Sequence, residues 1–181
     1  TAGHEVGNHS FEHEPWLHRY SPEQLEQEIG GAEAAILSAT GQRPVGFRGP
    51  GFSWSPDLLR VLSRRRYLYD AATFPTYVGP LARAYYFWTA KLSKEEREKR
   101  SYLFGSLREG LRPNKPYHWD LDDGRRLLEI PVTTMPVFKV PFHFSYLLYL
   151  ARYSEGAMAG YLRTALALCR LPDLERSFLL H

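Results

Sequence analysis

Cysteine is almost missing: of 181 residues, only Cys169 carries a thiol. An intramolecular disulfide is therefore excluded, the fold does not lean on oxidative cross-linking, and the redox compartment stays open. A surplus of one charge is also lacking. Twenty-three Lys and Arg face twenty Asp and Glu, a formal +3 with both signs interspersed, too small a basic excess to imply a nucleic-acid partner. No apolar run reaches the 18 residues of a membrane-spanning helix, so no transmembrane segment is expected. Methionine is missing from position 1, and Thr1-Ala2-Gly3 shows no signal-peptide pattern; the chain is expected to be a fragment of a longer protein. Internal repeats and low-complexity segments are absent as well. What is present is 44% hydrophobic content, enough over this length for one substantial core, and a single domain over residues 1–181 is expected.

The most informative stretch is Gly7-Asn8-His9-Ser10-Phe11-Glu12-His13. On a helical turn, residues four apart share a face with Cβ atoms about 5–6 Å apart, and from there two ring nitrogens converge on one zinc at roughly 2.0–2.1 Å. Seven histidines in the chain give about 0.3 such pairs by chance, so the spacing alone does not decide. The protease pattern His-Glu-x-x-His is excluded by position, because Ser10 follows the first histidine. His4, His18, His118 and His143 read as structural.

In chain order, residues 3–9 read as a short strand running into this turn, which Glu14-Pro15 ends. Ser21, Pro22 and Gln24 form a helix start with a capping box; Leu25, Ile29, Ala32 and Ile36 give its buried stripe, and Thr40-Gly41 stops it. Residues 45–48 form a second strand ending in Gly49-Pro50-Gly51-Phe52, and Ser55-Pro56 opens another helix. Tyr67-Leu68-Tyr69 is a third strand, ending in Asp70. Residues 81–125 read as an insertion: an aromatic group at 85–88, then a charged run at 91–100 that reads as a solvated helix face. Residues 126–132 return to strand, 142–150 and 157–171 read as a buried helix pair in preference to a membrane-facing surface, and 177–181 as a last strand. Strands alternating with helices predict a parallel α/β sheet or barrel.

Three separated pieces carry a resemblance: Gly3-His4-Glu5-Val6-Gly7-Asn8-His9-Ser10-Phe11-Glu12-His13, Phe47-Arg48-Gly49-Pro50-Gly51, and Phe178-Leu179-Leu180-His181. Together they resemble the polysaccharide deacetylase family, also called carbohydrate esterase family four or the NodB-homology domain. The resemblance implies an α/β fold of the distorted (β/α) barrel type, incomplete at its N-terminus. It implies that His9 and His13 are metal ligands for a divalent cation, with zinc the expected ion. It places Arg48 as the arginine that orients a catalytic aspartate, with Gly49 departing from the family's usual proline, and His181 as the general acid. Asp70 is similar to an aspartate that tunes that histidine in some members, although the motif around it matches poorly; a helix cap or a loop ion pair is the alternative. The family's first motif, a Thr-Phe-Asp-Asp strand that supplies the base and the third ligand, has no counterpart. Asp122-Asp123-Gly124 reads better as a β-turn, so the sequence is expected to begin after that motif.

The implied reaction is hydrolysis of an N-acetyl or similar small amide on a sugar or polysaccharide. The activity implied is that of a metal-dependent carbohydrate N-deacetylase, with the fragment itself inactive. Ser10 is either a turn cap or a residue lining the acetate end of the site, and Phe52 and Trp54 either wall a sugar groove or belong to the core. Expected partners are an N-acetylated sugar or polysaccharide and no nucleic acid; peripheral membrane contact stays open, and the sequence does not indicate an oligomeric state. The absence of a visible signal peptide favours a bacterial-type cytoplasmic or membrane-peripheral location. Two alternatives stand beside this reading: a deformylase or amidase acting on a lipid-linked sugar or ring amide, and a degenerate carbohydrate-binding member without activity.

Overall fold

The computed structural model describes residues 3–79, 88, 107–172 and 174–180. They fall into two compact units, the first built from residues within 3–73 and 116–130, the second from residues within 74–88, 107–115 and 131–180. Most of the aromatic group at 85–88 and all of the charged run at 91–100 lie outside the described residues.

The first unit starts with the best-signalled helix, α1, Pro22–Thr40. The capping box forms as expected: the Gln24 N–H donates to Ser21 Oγ at 3.3 Å, and the Ser21 N–H donates to Gln24 Oε1 at 2.9 Å. Gly41 ends the helix in the left-handed region at φ 72°, where a residue without Cβ carries no steric penalty. Leu25, Ile29 and Ala32 are buried along one stripe, and Glu28 is buried among them. Helix α2, Pro56–Arg64, is capped by Ser55, whose Oγ accepts from the Leu58 N–H at 3.2 Å. Leu58, Val61 and Leu62 from α2 pack with Leu25, Ile29 and Phe47; full burial of each such aliphatic side chain stabilises by roughly 1.5–3 kcal/mol.

These helices cover a small sheet of β1 (Gly46–Phe47), β2 (Tyr69–Asp70), β3 (Tyr117–Asp120) and β4 (Arg126–Glu129). Its order is β1-β2-β4-β3, with β1, β2 and β4 parallel and β3 antiparallel to β4. The result is a mixed α/β fold with a mainly parallel sheet, and among the described residues that sheet is open. The stretch read as an insertion thus supplies an edge strand, β3. The turn between β3 and β4 is the expected one: Gly124 sits at φ 76° and Asp123 Oδ1 accepts from the Arg125 N–H at 3.0 Å. Residues 3–9 do not form the expected strand; one parallel bridge, Asn8 to Phe47, is what pairs there. Gly46 has a specific purpose, since a Cβ on it would lie 2.2 Å from Tyr69 Oη. Without that side chain, the Tyr69 hydroxyl reaches past β1 and donates to Glu5 Oε1 at 2.6 Å.

The second unit is built on α3 (Phe144–Ala151) and α4 (Glu155–Arg170). Phe142, Ala165, Cys169 and Leu174 are buried together. The expected buried helix pair is only partly realised, because α3 buries Leu147 but exposes Phe144, Leu148 and Tyr149. Residues 177–180 are not a strand; they are tied locally instead, by the Thr133 N–H donating to the Ser177 carbonyl at 3.0 Å and the Phe144 N–H to that of Leu179 at 3.0 Å. Among the described residues, no helix is long and apolar enough to cross a membrane.

Candidate functional site

The two-histidine segment is not a helical turn. Residues 9–14 contain no helical turn, only a bend at Phe11-Glu12, with Ser10 at φ 73° and His13 at φ 60°, left-handed positions that an α-helix does not contain. The rings nevertheless meet, their centroids 5.0 Å apart and their planes at 66°. Convergence comes from how the loop is held. Asn8, fully buried, donates from Nδ2 to the Ile29 carbonyl at 3.0 Å and to Tyr67 Oη at 2.8 Å, and its Oδ1 accepts from the Ser10 N–H at 2.9 Å. Glu28 reaches out of α1 so that its Oε1 accepts from Ser10 Oγ at 2.5 Å, the Phe11 N–H at 2.8 Å and the Glu12 N–H at 2.6 Å. Ser10 is thus a loop anchor bound to Glu28.

His9 Nδ1 lies 2.6 Å from the Arg48 carbonyl. A carbonyl only accepts, so Nδ1 carries the proton and the lone pair is on Nε2, the arrangement in which a ligating imidazole is oriented by a backbone oxygen. The donor set therefore fits two ligands of a zinc-type ion. Among the described residues no cluster of three His, Cys, Asp or Glu side chains is placed to hold one, so His9 and His13 make a pair and not a complete site.

Arg48 follows β1. Its Nε donates to the Ala71 carbonyl at 2.9 Å, and burial lowers its pKa while Asp70, Tyr69 and Glu129 pull it back up. Gly49 beside it is required by space: a Cβ there would meet the Ser53 carbonyl oxygen at 2.0 Å, which excludes the proline the family resemblance would place. Asp70 ends β2 and is fully buried, with Oδ1 accepting from the Ala71 N–H at 2.9 Å. It ends a strand and caps no helix. Burial first, and Glu129 next, push its carboxyl well above the ordinary carboxylate range. Glu129, paired in register with Asp70 across β2 and β4, accepts from the Thr73 N–H at 2.9 Å and Thr73 Oγ1 at 2.6 Å through Oε1, and from Trp119 Nε1 at 2.9 Å through Oε2. Trp54 stacks on Trp119 with centroids 4.8 Å apart and packs against the core. His181 lies outside the described residues.

His9, His13, Arg48 and Asp70 are thus linked through the ends of β1 and β2, the carboxyl edge where parallel α/β sheets place their sites. Residues 1–69 match the family model for polysaccharide deacetylase. This part of the chain is therefore similar to the polysaccharide deacetylase family. A peptidoglycan deacetylase-like protein of Gibberella zeae, FGM2, is 32% identical over 71 residues, 39% of this chain and 21% of that protein. A crystal structure from Mycobacterium smegmatis, assigned as a polysaccharide deacetylase, aligns at TM-score 0.47 and 20% identity over 73% of this chain and 32% of that one. A family 4 carbohydrate esterase from Streptomyces lividans, solved with acetate, aligns at TM-score 0.37 and 26% identity over 45% of this chain and 41% of its own. The chain therefore spans about a fifth of the curated relative and less than half of either solved chain. Within the segment that matches this family model, sequence reasoning singled out His9, His13 and Arg48 and passed over Asn8 and Glu28, which hold the loop. The available signal for Glu28 was a lone carboxylate on the apolar stripe of α1.

Proposed function

We propose that this chain is part of an enzyme that hydrolyses an N-acetyl or similar small amide on a sugar or polysaccharide, within a (β/α) barrel that the described sheet only begins. The observation that carries the reading is the meeting of His9 and His13 at 5.0 Å with His9 turned by the Arg48 carbonyl, in the segment that matches the deacetylase family. His9 and His13 would hold a divalent cation, with zinc the expected ion for imidazole donors. When bound, such an ion lowers the pKa of water toward about 7 and draws charge from the amide carbonyl. The chain's own residues fix the donors: the Arg48 carbonyl sets the His9 tautomer, Glu28 and Asn8 hold the loop, and the Arg48 guanidinium supplies positive charge at the strand ends. A third donor and a general base would come from outside these residues, and His181 would return a proton to the leaving amine.

The test is metal content and acetate release by the natural gene product containing this segment, on N-acetylated sugar oligomers. His9→Ala and His13→Ala are expected to remove the metal and lower acetate release at least 100-fold, more than the roughly 10–100-fold of losing an outer-shell partner; retained metal in either variant overturns the assignment. A second reading, a lipid-linked sugar substrate, is favoured by one observation: α3 turns Phe144, Leu148 and Tyr149 to solvent. Comparing free with lipid-linked, and acetylated with formylated, substrates separates the two.

A further inference from the structure

Asp70 and Glu129 face each other in register on adjacent parallel strands, and both are fully excluded from solvent. Their surroundings are unequal. Glu129 accepts from three donors, the Thr73 N–H, Thr73 Oγ1 and Trp119 Nε1, whereas Asp70 accepts from the Ala71 N–H alone through Oδ1. Asp70 Oδ2 is buried with no N–H or O–H donor directed at it, and the group it meets is the Glu129 carboxyl. Two buried carboxylates in contact do not both ionise. One proton must lie between them, and the negative charge settles on the carboxyl with more donors.

We infer that Asp70 and Glu129 are a one-proton carboxyl pair, in which Glu129, with three donors, is the anion and Asp70 is a neutral hydrogen-bond donor to Glu129. Of the groups packed around the pair, Arg48 from the end of β1 brings positive charge, Tyr69 from β2 is titratable, and Trp119 from β3 and Thr73 from the loop after β2 are neutral donors. Arg48 and Glu129 then balance, and the proton on Asp70 leaves the cluster neutral. The direction in which burial and Glu129 move the Asp70 carboxyl agrees. Arg48 feels Asp70 and Tyr69 ahead of Glu129, and its own anchor is the Ala71 carbonyl. An anionic Asp70, as the family resemblance would use it, does not arise while Glu129 is ionised.

The pair is independent of the proposed deacetylation, and its test needs no substrate or metal. An amide at 70 reproduces a protonated acid, since its oxygen accepts from Ala71 and its nitrogen donates to Glu129. An amide at 129 turns an NH2 toward either Trp119 Nε1 or the Thr73 donors. In the full chain, Asp70→Asn is therefore expected to keep Tm within about 3 °C of wild type, and Glu129→Gln to lose about 5–10 °C. The opposite order overturns the assignment. Infrared spectra in D2O at neutral pH give a second readout that stands even if Glu129→Gln does not fold. Wild type should show a protonated-carboxyl C=O band that Asp70→Asn abolishes; no band in wild type, or a band that survives the substitution, overturns the pair.

Discussion

Two buried glutamates, Glu28 and Glu129, each accept three hydrogen bonds and do different work. Every donor to Glu28 comes from residues 10–12, so this carboxylate shapes the loop that brings the two histidines together. The donors to Glu129 come from a strand and from the loop after another, and its remaining neighbour is a second carboxyl. One glutamate organises backbone; the other holds a proton in place. A count of hydrogen bonds does not separate these roles, and the identity of the next residue does.

The strongest way to break this comparison is to remove the loop's anchor. Glu28→Ala leaves Ser10 Oγ and two backbone N–H groups without their acceptor and is expected to cost about 3 kcal/mol in urea unfolding. It should also weaken zinc binding measured by titration. Glu28→Gln keeps an oxygen facing the same three donors and should cost about 1 kcal/mol or less; if it costs as much as Glu129→Gln, the two glutamates are not different in kind. Asn8→Ala removes three hydrogen bonds from a fully buried position and should cost about 2 kcal/mol by the same measurement.

A pH series sharpens the other half. An unfolded aspartate releases its proton near the ordinary value of 3.8, while folded Asp70 holds it well above that. Between those values the folded state binds more protons, so this group's contribution to stability falls as pH rises. Thermal melts across pH 4–8 should show that decline in wild type, and Asp70→Asn should flatten it; an unchanged slope would count against a protonated Asp70. At the small end, Ser21→Ala removes one arm of the capping box and should cost about 1 kcal/mol. Smaller still, His9→Ala should change stability by about 0.5 kcal/mol or less, since the side chain is exposed, while abolishing the zinc response. A large stability loss there would make His9 a structural histidine.

Much of the frame was legible in the residues. Ser21, Pro22, Gln24 and Gly41 delimit α1 because capping depends on neighbours within four positions, and the Asp123-Gly124 turn follows from the same local chemistry. The histidine spacing pointed to two rings that do lie close together, but for a reason the fold does not use. Four residues on a helix would bring the rings together, but here two left-handed residues and a carboxylate fifteen or more positions away in sequence do so. Residues 3–9 pair only through the Asn8–Phe47 bridge and 177–180 join no strand, because a ladder needs a partner with free donors and acceptors, and composition does not supply one. By itself, then, the sequence determined the helices, the turns and the residue types of the two-histidine segment, since these are set by short-range geometry. Tertiary structure alone decided that Asn8 and Glu28 hold the loop, that Gly49 must lack a side chain, and that Asp70 meets Glu129. Those three depend on which atoms remain within reach after water has been excluded, a property of the packed chain and not of any segment of it.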